Sequence, residues 1–293
     1  MSLPGQVSGG VLPRSGAARG TMARSCARRV LGLNLFLRVY RVSELLQHFS
    51  WVAAFAALLV GLSKGGLPAI GMLAVPLMAL SMSPVQAAVL LLPIYVVSDM
   101  AGLWLYRRDF SAPNLRILVP AGLAGVLLGW ATAAWVSDRV VTLLIGLMGL
   151  GFCLYAWLRR QSEAPPQPAH LLKGCFWGTV TGFTSFISHA GAPPFQVYVL
   201  PQKLPKAQFA GTATLLFAAI NLAKIMPYQF LRPYSAQALW GAAALLPFAL
   251  AGTVAGAWLT RRLADAWFYR LVQVGLLLVS LKLIVDAWGM AQG

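Results

Sequence analysis

The sequence predicts an all-α, polytopic membrane protein with about eight transmembrane helices in two repeated halves, each containing a broken or re-entrant helix. Three observations predict this class. Of the 293 residues, 59% are hydrophobic and 10% are charged, whereas soluble domains have about 45–50% and about 25%. Apolar runs long enough for bilayer-spanning helices, which need about 20 residues, recur along the chain. Glycines and prolines also recur at fixed spacings between the two halves.

The scarcity of carboxylates excludes a soluble enzyme, a disordered protein and a secreted disulfide scaffold. The chain has only seven Asp and Glu residues, too few to give a soluble protein of this size a polar shell. The three cysteines show no metal-ligand spacing and no obvious pair, and no HExxH motif is present. We therefore expect no catalytic residue, no metal site and no cofactor.

The formal charge of +16 follows the positive-inside pattern of membrane proteins. Past position 44, most Lys and Arg residues lie in short connections between apolar runs, as at 107–108 and 261–262. No basic stripe with interleaved aromatic residues is present, so we expect no nucleic-acid partner. The expected partners are the lipid bilayer and a small anionic substrate. The sequence does not indicate an oligomeric state.

The chain divides into four predicted segments. Residues 1–43 are basic and lack acids; we expect a disordered or non-native extension, with a targeting sequence or a cytoplasmic anchor as alternatives. Residues 44–160 form the first transmembrane repeat, the sequence QSEAPPQPAH at 161–170 forms a linker, and residues 171–293 form the second repeat.

The first helix break is predicted within the apolar run 65–98, which as one helix would be about 50 Å long and would exceed the bilayer. Pro84 cannot continue a helix and disfavours helix at Ser83, so SMSP at 81–84 is the predicted turn. The remaining stretch, 67–80, is too short to cross alone. It follows the turn-like Gly61-Leu-Ser-Lys-Gly-Gly-Leu-Pro68 and is predicted to be re-entrant or half of a broken helix.

The second half repeats this anomaly. The apolar run 171–188 is followed by His189-Ala-Gly-Ala-Pro-Pro194 and a short run, 195–200. Other residues recur at two fixed offsets, which indicates two fused repeats. The pairs separated by 127 positions are Pro120 and Pro247, Gly125 and Gly252, Gly129 and Gly256, and Asp138 and Asp265. The pairs separated by 121 positions are Pro84 and Pro205, and Gly61 and Gly182. Matching Gly/Pro-interrupted segments in two halves indicate a transporter's binding site.

The few ionisable residues inside apolar segments are candidate site residues, because each costs about 2.5–3.5 kcal/mol at a helix centre. Lys64 lies in the first break and is a candidate site residue. Alternatively, its side chain extends along the apolar segment to place its charge at the membrane interface. Asp99 lies well inside the helix that begins at Pro84, either as a coupling site or as a structural partner of Lys64 or Lys224. Lys224 follows Asn221 by one helical turn, which places both on one face.

His189 is the candidate in the second break, with Ser185 four residues before it. It is predicted to donate a hydrogen bond to an anion or to carry a proton. Alternatively, it has a purely structural role. Breaks inside a membrane are also expected to leave backbone N–H groups and positive helix ends facing the protein interior, which favours anions.

Three segments around the breaks carry a resemblance to a known family. They are GLSKGGLPAIGMLAVPLMAL, PVQAAVLLLPIYVVSDMAGLWLYRRDF and GFTSFISHAGAPPFQVYVLPQKLPKAQFAGTATLLFAAINLAKIMPYQFL. Together they resemble the TauE/SafE sulfite exporter family, over roughly residues 44–288. The resemblance implies a multi-pass protein of the bacterial inner membrane, with about eight spans, that moves small sulfur-containing anions. Five spans per half would gather the loop charges on one side and is the alternative topology.

We therefore predict a permease or exporter of sulfite or organosulfonates in the cell membrane, with proton coupling as a further expectation. It is not expected to be an enzyme; a passive anion channel and a non-transporting membrane scaffold are the alternatives. Coupling is predicted for Asp99 and His189, and helix breaks for Pro68, Pro193 and Pro194. The predicted substrate-binding residues are Lys64, Gly65, Gly66, Ser185, His189, Gly191, Asn221 and Lys224.

Overall fold

The described part of the chain is helical throughout. The structure is a computed structural model, and it describes residues 51–78, 84–133, 135, 138–158, 165–231 and 233–289. These residues form ten α-helices and two short 3-10 helices, and no strand. The predicted extension 1–43, the predicted turn at 81–83 and the start of the predicted linker, 161–164, lie outside the described residues.

Both halves have the same order of helices, a broken helix followed by three long ones. The first half contains α1 (Trp51–Lys64), a 3-10 helix (Ile70–Leu73), α2 (Ala74–Met78), α3 (Pro84–Leu105), α4 (Ala112–Thr132) and α5 (Asp138–Leu158). The second half contains α6 (Leu171–Ser188), α7 (Ala192–Val199), a 3-10 helix (Leu200–Gln202), α8 (Lys206–Leu231), α9 (Ala236–Arg262) and α10 (Asp265–Gly289).

The helices confirm the membrane class of the fold. Among the described residues, four helices are long and apolar enough to cross a bilayer: Ala112–Thr132, Lys206–Phe230, Ala236–Arg262 and Asp265–Gly289. Shorter apolar stretches accompany them at Trp51–Lys64, Leu90–Leu105 and Thr142–Leu154. Large apolar side chains cover the outer surface, including Trp104, Trp130, Trp157, Trp240, Trp258 and Trp288. Such a surface suits lipid and would be a liability in water.

The first break follows Lys64, the last residue of α1. Gly66 has a φ of 120°, a region open to glycine and unfavourable for other residues. A Cβ there would also lie 2.5 Å from Oγ1 of Thr260. Pro68 has no backbone N–H to continue the helix, and helical structure resumes only at Ile70. The break therefore lies in the segment where the sequence predicts it.

The second break begins at His189, the C-cap of α6, with a φ of 54° in the left-handed region. Glycine is the usual residue there, because other residues are strained. Pro193 and Pro194 follow in the first turn of α7, where a missing N–H costs no helix hydrogen bond. The Tyr198 hydroxyl donates to the carbonyl of His170 and accepts from its N–H. The chain thus turns back, and α7 runs along α6 towards its start.

The two halves interlock. Helix α1 packs mainly on α9 of the second half, and α6 packs mainly on α4 of the first half. Helix α3 packs on α8, and α5 packs on α10. Each broken helix therefore lies against a helix of the opposite half, and exchanging the halves leaves this pattern unchanged.

Repeated glycines allow the crossed helices to touch backbone to backbone. A Cβ on Gly61 would lie 1.9 Å from the carbonyl oxygen of Ala249, and one on Gly182 would lie 1.9 Å from that of Gly122. The two contacts are equivalent, since Gly182 follows Gly61 by 121 positions and Ala249 follows Gly122 by 127. The offsets found in the sequence are thus the offsets of matching helix contacts.

A second pair of glycines repeats this match. A Cβ on Gly252 would lie 2.3 Å from the carbonyl oxygen of Leu58, and one on Gly125 would lie 2.1 Å from that of Thr179. The same two offsets relate these residues. Both crossings therefore need glycine at the same places.

We expect Gly61→Ala to destabilise the protein, because the new methyl group would overlap the Ala249 carbonyl. Overpacking of this kind costs about 1–3 kcal/mol. The matched control is Gly151→Ala in α5, where a Cβ would meet nothing within 4 Å and helix propensity favours alanine by about 1 kcal/mol. Thermal unfolding in detergent measures both variants. Equal melting temperatures for Gly61→Ala and wild type would contradict the close crossing.

Candidate functional site

Both helix breaks line one cavity with a volume of about 30 Å³. The first break contributes Ser63, Lys64, Pro68, Gly71 and Met72, and the second contributes Ser185, His189 and Ala192. Helices α3 and α8 complete the wall with Tyr95, Thr214, Phe217 and Asn221. A cavity of this size, lined partly by polar side chains, can hold water.

Lys64 and Asp99 form a buried ion pair beside the first break. The Lys64 Nζ lies 2.8 Å from Oδ1 of Asp99, and the two residues are 4% and 0% exposed. Lys64 therefore does not snorkel to the membrane interface, and it is the partner of Asp99. Two charges can be held in such a place only because each neutralises the other.

Asn221 connects this ion pair to the second half. Its Nδ2 donates to Oδ2 of Asp99 at 2.7 Å, and its Oδ1 accepts from Nζ of Lys224 at 3.3 Å. Lys224 also donates to Oγ of Ser185 at 2.7 Å. Lys224 is fully buried behind the wall, and it reaches the cavity through Asn221 and Ser185, which both line it.

This polar cluster contains more basic than acidic side chains. Among the described residues that form it, two are lysines and one is an aspartate. With all three ionised, one ammonium group would lack a counter-charge within the cluster. In the described part of the chain, no group of three His, Cys, Asp or Glu side chains is placed to hold a metal ion.

Aromatic rings orient the ionic groups. The Nζ of Lys64 lies 5.0 Å from the ring centroid of Tyr95 and 5.6 Å from that of Phe217, which are cation–π distances. Tyr95 also stacks on His189, with centroids 5.3 Å apart. Its hydroxyl donates to the Gly71 carbonyl at 2.8 Å. Tyr95 thus touches both breaks.

Backbone N–H groups offer less to an anion than the sequence led us to expect. Those of residues 65–67 donate to carbonyls within α1, and those of His189 and Ala190 donate to carbonyls within α6. The prolines at 68, 193 and 194 have no N–H to offer. These backbone groups are therefore already bonded, and Lys64, Ser185 and Asn221 provide side-chain donors around this cavity.

A family model described as Sulfite exporter TauE/SafE matches residues 53–283. This range contains both breaks and every residue of the cavity wall. The chain belongs to the TauE/SafE sulfite exporter family. The predicted membership and the class of membrane transporter are thereby confirmed. No curated protein and no solved structure matches the chain.

Three glycines predicted to bind substrate in this TauE/SafE protein lie outside the cavity wall. A Cβ on Gly65 would lie 2.5 Å from the backbone nitrogen of Ala257, and one on Gly191 would lie 2.8 Å from the ring of Phe217. Gly66 provides the positive φ of the break. Close packing and backbone conformation account for their positions, and their contact with substrate stays a prediction.

The other predicted residues divide between the wall and the layer behind it. Lys64, Ser185, His189, Asn221 and Pro68 line the cavity. Asp99 and Lys224 lie behind the wall and bond to lining residues. Pro193 and Pro194 form the first turn of α7, outside the wall. The structure thus brings together side chains that are more than a hundred positions apart in the sequence.

Sequence reasoning missed the aromatic residues of this TauE/SafE site. An offset of 122 between α3 and α8 could have found them, because it pairs Tyr95 with Phe217 and Tyr106 with Tyr228. The Tyr106 hydroxyl donates to the Gly65 carbonyl at 2.5 Å, and Tyr228 donates to the Phe186 carbonyl at 2.9 Å. Each tyrosine secures the end of one broken helix.

Removing one member of the ion pair is expected to destabilise the protein strongly. Asp99→Asn leaves Lys64 buried without a counter-charge, at a cost of about 3–5 kcal/mol in the free energy of unfolding. The double variant Lys64→Met/Asp99→Leu removes both charges. Its free energy of unfolding should therefore fall less than that of Asp99→Asn. Denaturant unfolding in detergent measures both.

The control is the pair of Lys282 and Asp286, which is four residues apart on α10 and partly exposed. Removing either partner should cost less than about 1 kcal/mol. An Asp99→Asn variant as stable as wild type would contradict the buried pair.

Proposed function

We propose that this TauE/SafE protein is a carrier that moves small sulfur oxyanions through the cavity where its two helix breaks meet. Family membership implies a membrane transporter of sulfite or related sulfur anions, and the choice of substrate and mechanism is our proposal. One observation carries it. Two buried lysines and one aspartate converge on a small cavity lined by both breaks, which is where broken-helix transporters bind their substrates.

The expected substrate is sulfite, the anion that the family's description names, and its proposed site is the cavity. Lys64 and Ser185 face it as donors, and charge-assisted hydrogen bonds from such groups to oxyanion oxygens are strong.

Protonation of Asp99 would couple transport to a proton gradient. The Asp99 carboxylate accepts from Lys64 and from Asn221. A proton on Asp99 removes the counter-charge of Lys64, whose ammonium group then binds the substrate anion instead. Proton and anion would therefore bind together, as the coupling role of Asp99 requires. His189 is the second proposed coupling residue, because it lines the same cavity.

We also propose an inverted two-repeat topology in place of eight spans. Equivalent helices run antiparallel where they touch. In α3 and α8, Asp99 contacts Asn221, whereas Gly102, further along α3, lies against Thr214, earlier in α8. Equivalent helices point in opposite directions only if each half crosses the membrane an odd number of times. Three full crossings and one re-entrant hairpin per half meet that requirement.

Helices α5 and α10 support the same topology. Gly146 lies against Ile284, and Cys153, further along α5, contacts Gln273, earlier in α10. The inverted arrangement also places ten basic residues on one side of the membrane, as the positive-inside rule expects of the cytoplasmic side. These are Arg107, Arg108, Arg116, Arg159, Arg160, Lys173, Lys203, Lys206, Arg261 and Arg262.

Cysteine labelling distinguishes the two topologies. In the inverted arrangement, Arg108→Cys and Lys203→Cys should react with a membrane-impermeant maleimide from the cytoplasmic side, and Pro233→Cys from the opposite side. In an eight-span topology, Arg108→Cys and Pro233→Cys would lie on the same side of the membrane, and Lys203→Cys would lie on the other side. Labelling of intact cells and of inverted vesicles measures both faces in the same preparations. Opposite reactivity of positions 108 and 203 would contradict the inverted topology.

The test of transport is uptake and efflux of sulfite, thiosulfate, sulfoacetate and taurine in proteoliposomes, with and without a pH gradient. We expect sulfite to move fastest and to accelerate with the gradient. Lys64→Ala and Lys224→Gln should each lower the rate at least about tenfold, because each removes a buried charge from the site. Both variants should still insert into the membrane.

Lys282→Gln is the matched control, because this lysine pairs with Asp286 on α10, away from the cavity. It should transport like wild type. Retained transport by Lys64→Ala would contradict the role of Lys64. Movement of sulfite without any effect of the gradient would favour a passive channel, and no movement of any sulfur anion would contradict the proposed function.

A further inference from the structure

The hydrogen bonds around His189 favour one nitrogen of its ring as the site of the proton. The Tyr228 hydroxyl has one proton, and it donates that proton to the Phe186 carbonyl at 2.9 Å. The Nε2 of His189 lies 3.3 Å from the same hydroxyl oxygen, which can then only accept. In this arrangement Nε2 carries a proton, and in a neutral imidazole Nδ1 is the acceptor.

The first half supports this direction of the Tyr228 bond. Its equivalent, Tyr106, donates to the Gly65 carbonyl at 2.5 Å. The position equivalent to His189 is Pro68, 121 residues earlier, so no histidine is involved there. The hydrogen bond from tyrosine to the end of the broken helix is therefore a feature of both halves. The protonation of His189 follows from this bond.

The ring of His189 is held so that Nδ1 is the nitrogen left for a ligand. His189 lines the cavity, and its Nε2 contacts the hydroxyl of Tyr228, a residue outside the wall. Stacking on Tyr95, with an interplanar angle of 11°, and edge contact with Tyr228 hold the ring plane. A hydrogen-bond acceptor thus borders a cavity whose charged lining side chain, Lys64, is a donor.

The donors border the same cavity as this acceptor. Lys64 is a lining residue, and its Nζ lies over the rings of Tyr95 and Phe217, which also line the cavity. Ser185 accepts a hydrogen bond from Lys224, which leaves the serine hydroxyl proton for a bound molecule. A fully deprotonated anion would satisfy these donors and would meet the Nδ1 lone pair with an oxygen lone pair. An anion with one O–H group satisfies both sides.

We propose that the cavity selects an oxyanion that still carries a proton, such as hydrogensulfite, whose O–H donates to Nδ1 of His189. Tyr228 is the positioning residue, because its hydroxyl accepts from Nε2–H and so leaves Nδ1 as the acceptor. The inference rests on the proposed function and names the charge form of its substrate. The titratable groups that face His189 are Tyr95 from α3, Tyr228 and Lys224 from α8, and Lys64 from α1.

Chlorate is the discriminating probe, because it has the pyramidal shape and single charge of hydrogensulfite but no proton. Proteoliposomes are assayed with each anion below the second pKa of sulfurous acid. Wild type should move sulfite at least about tenfold faster than chlorate, because a site that accepts a hydrogen bond rejects analogues without the donor. Equal rates would overturn the inference and leave the proposed function standing. Failure to move sulfite at all would overturn both.

Tyr228→Phe tests the positioning role. Phenylalanine keeps the ring contacts with Phe186 and His189 but removes the acceptor for Nε2–H, so the preference for sulfite over chlorate should fall. Tyr106→Phe is the matched control, because it removes the equivalent carbonyl bond where no histidine is present. It should leave the preference unchanged. An unchanged preference in Tyr228→Phe would overturn the role of Tyr228.

Nitrogen-15 NMR of histidine-labelled protein tests the protonation directly and needs no transport. The chain has only three histidines, and the signals lost in His189→Asn identify those of His189. We expect the Nε2-protonated tautomer, with a shift of the Nδ1 signal when sulfite is added. A ring protonated at Nδ1, or at both nitrogens, would overturn the inference.

Discussion

The site depends on one interaction, the buried ion pair between Lys64 and Asp99. Neither charge is stable alone in this environment, because the desolvation cost of an unpaired ion is several kcal/mol. The pair therefore ties the end of α1 to the middle of α3. Asn221 bonds to the same carboxylate and extends the attachment to α8. Three helices from both halves thus converge on one carboxylate, and the cavity lies beside it.

Backbone contact at glycines makes this convergence possible. The two broken helices reach the centre only because α1 lies directly on α9 and α6 lies directly on α4. Side chains larger than glycine would separate these helices by several tenths of an ångström or more and would move both breaks away from the cavity. The repeated glycines therefore position the site without contributing any chemistry to it.

The two halves share a frame and differ in their functional groups. Lys64 corresponds to Ser185, Asp99 to Asn221 and Pro68 to His189. The first half contributes the carboxylate, the second half contributes the histidine, and each half contributes one lysine. Two identical halves would place the same groups around the cavity twice. The substitutions between them instead leave two lysines with one carboxylate and add one histidine beside them, which is the basis of the proposed anion selectivity.

The sequence by itself determined the membrane class, the family and both helix breaks, because hydrophobicity, glycine and proline act locally on the backbone. It also identified Lys64, Asp99, Asn221, Lys224 and His189, since buried polar groups stand out in apolar segments. Only the tertiary structure decided which of them meet, that most backbone N–H groups at the breaks are already bonded, and that equivalent helices run antiparallel. The meeting of these side chains and the antiparallel packing depend on contacts between helices that are distant in the sequence, and no local pattern records such contacts.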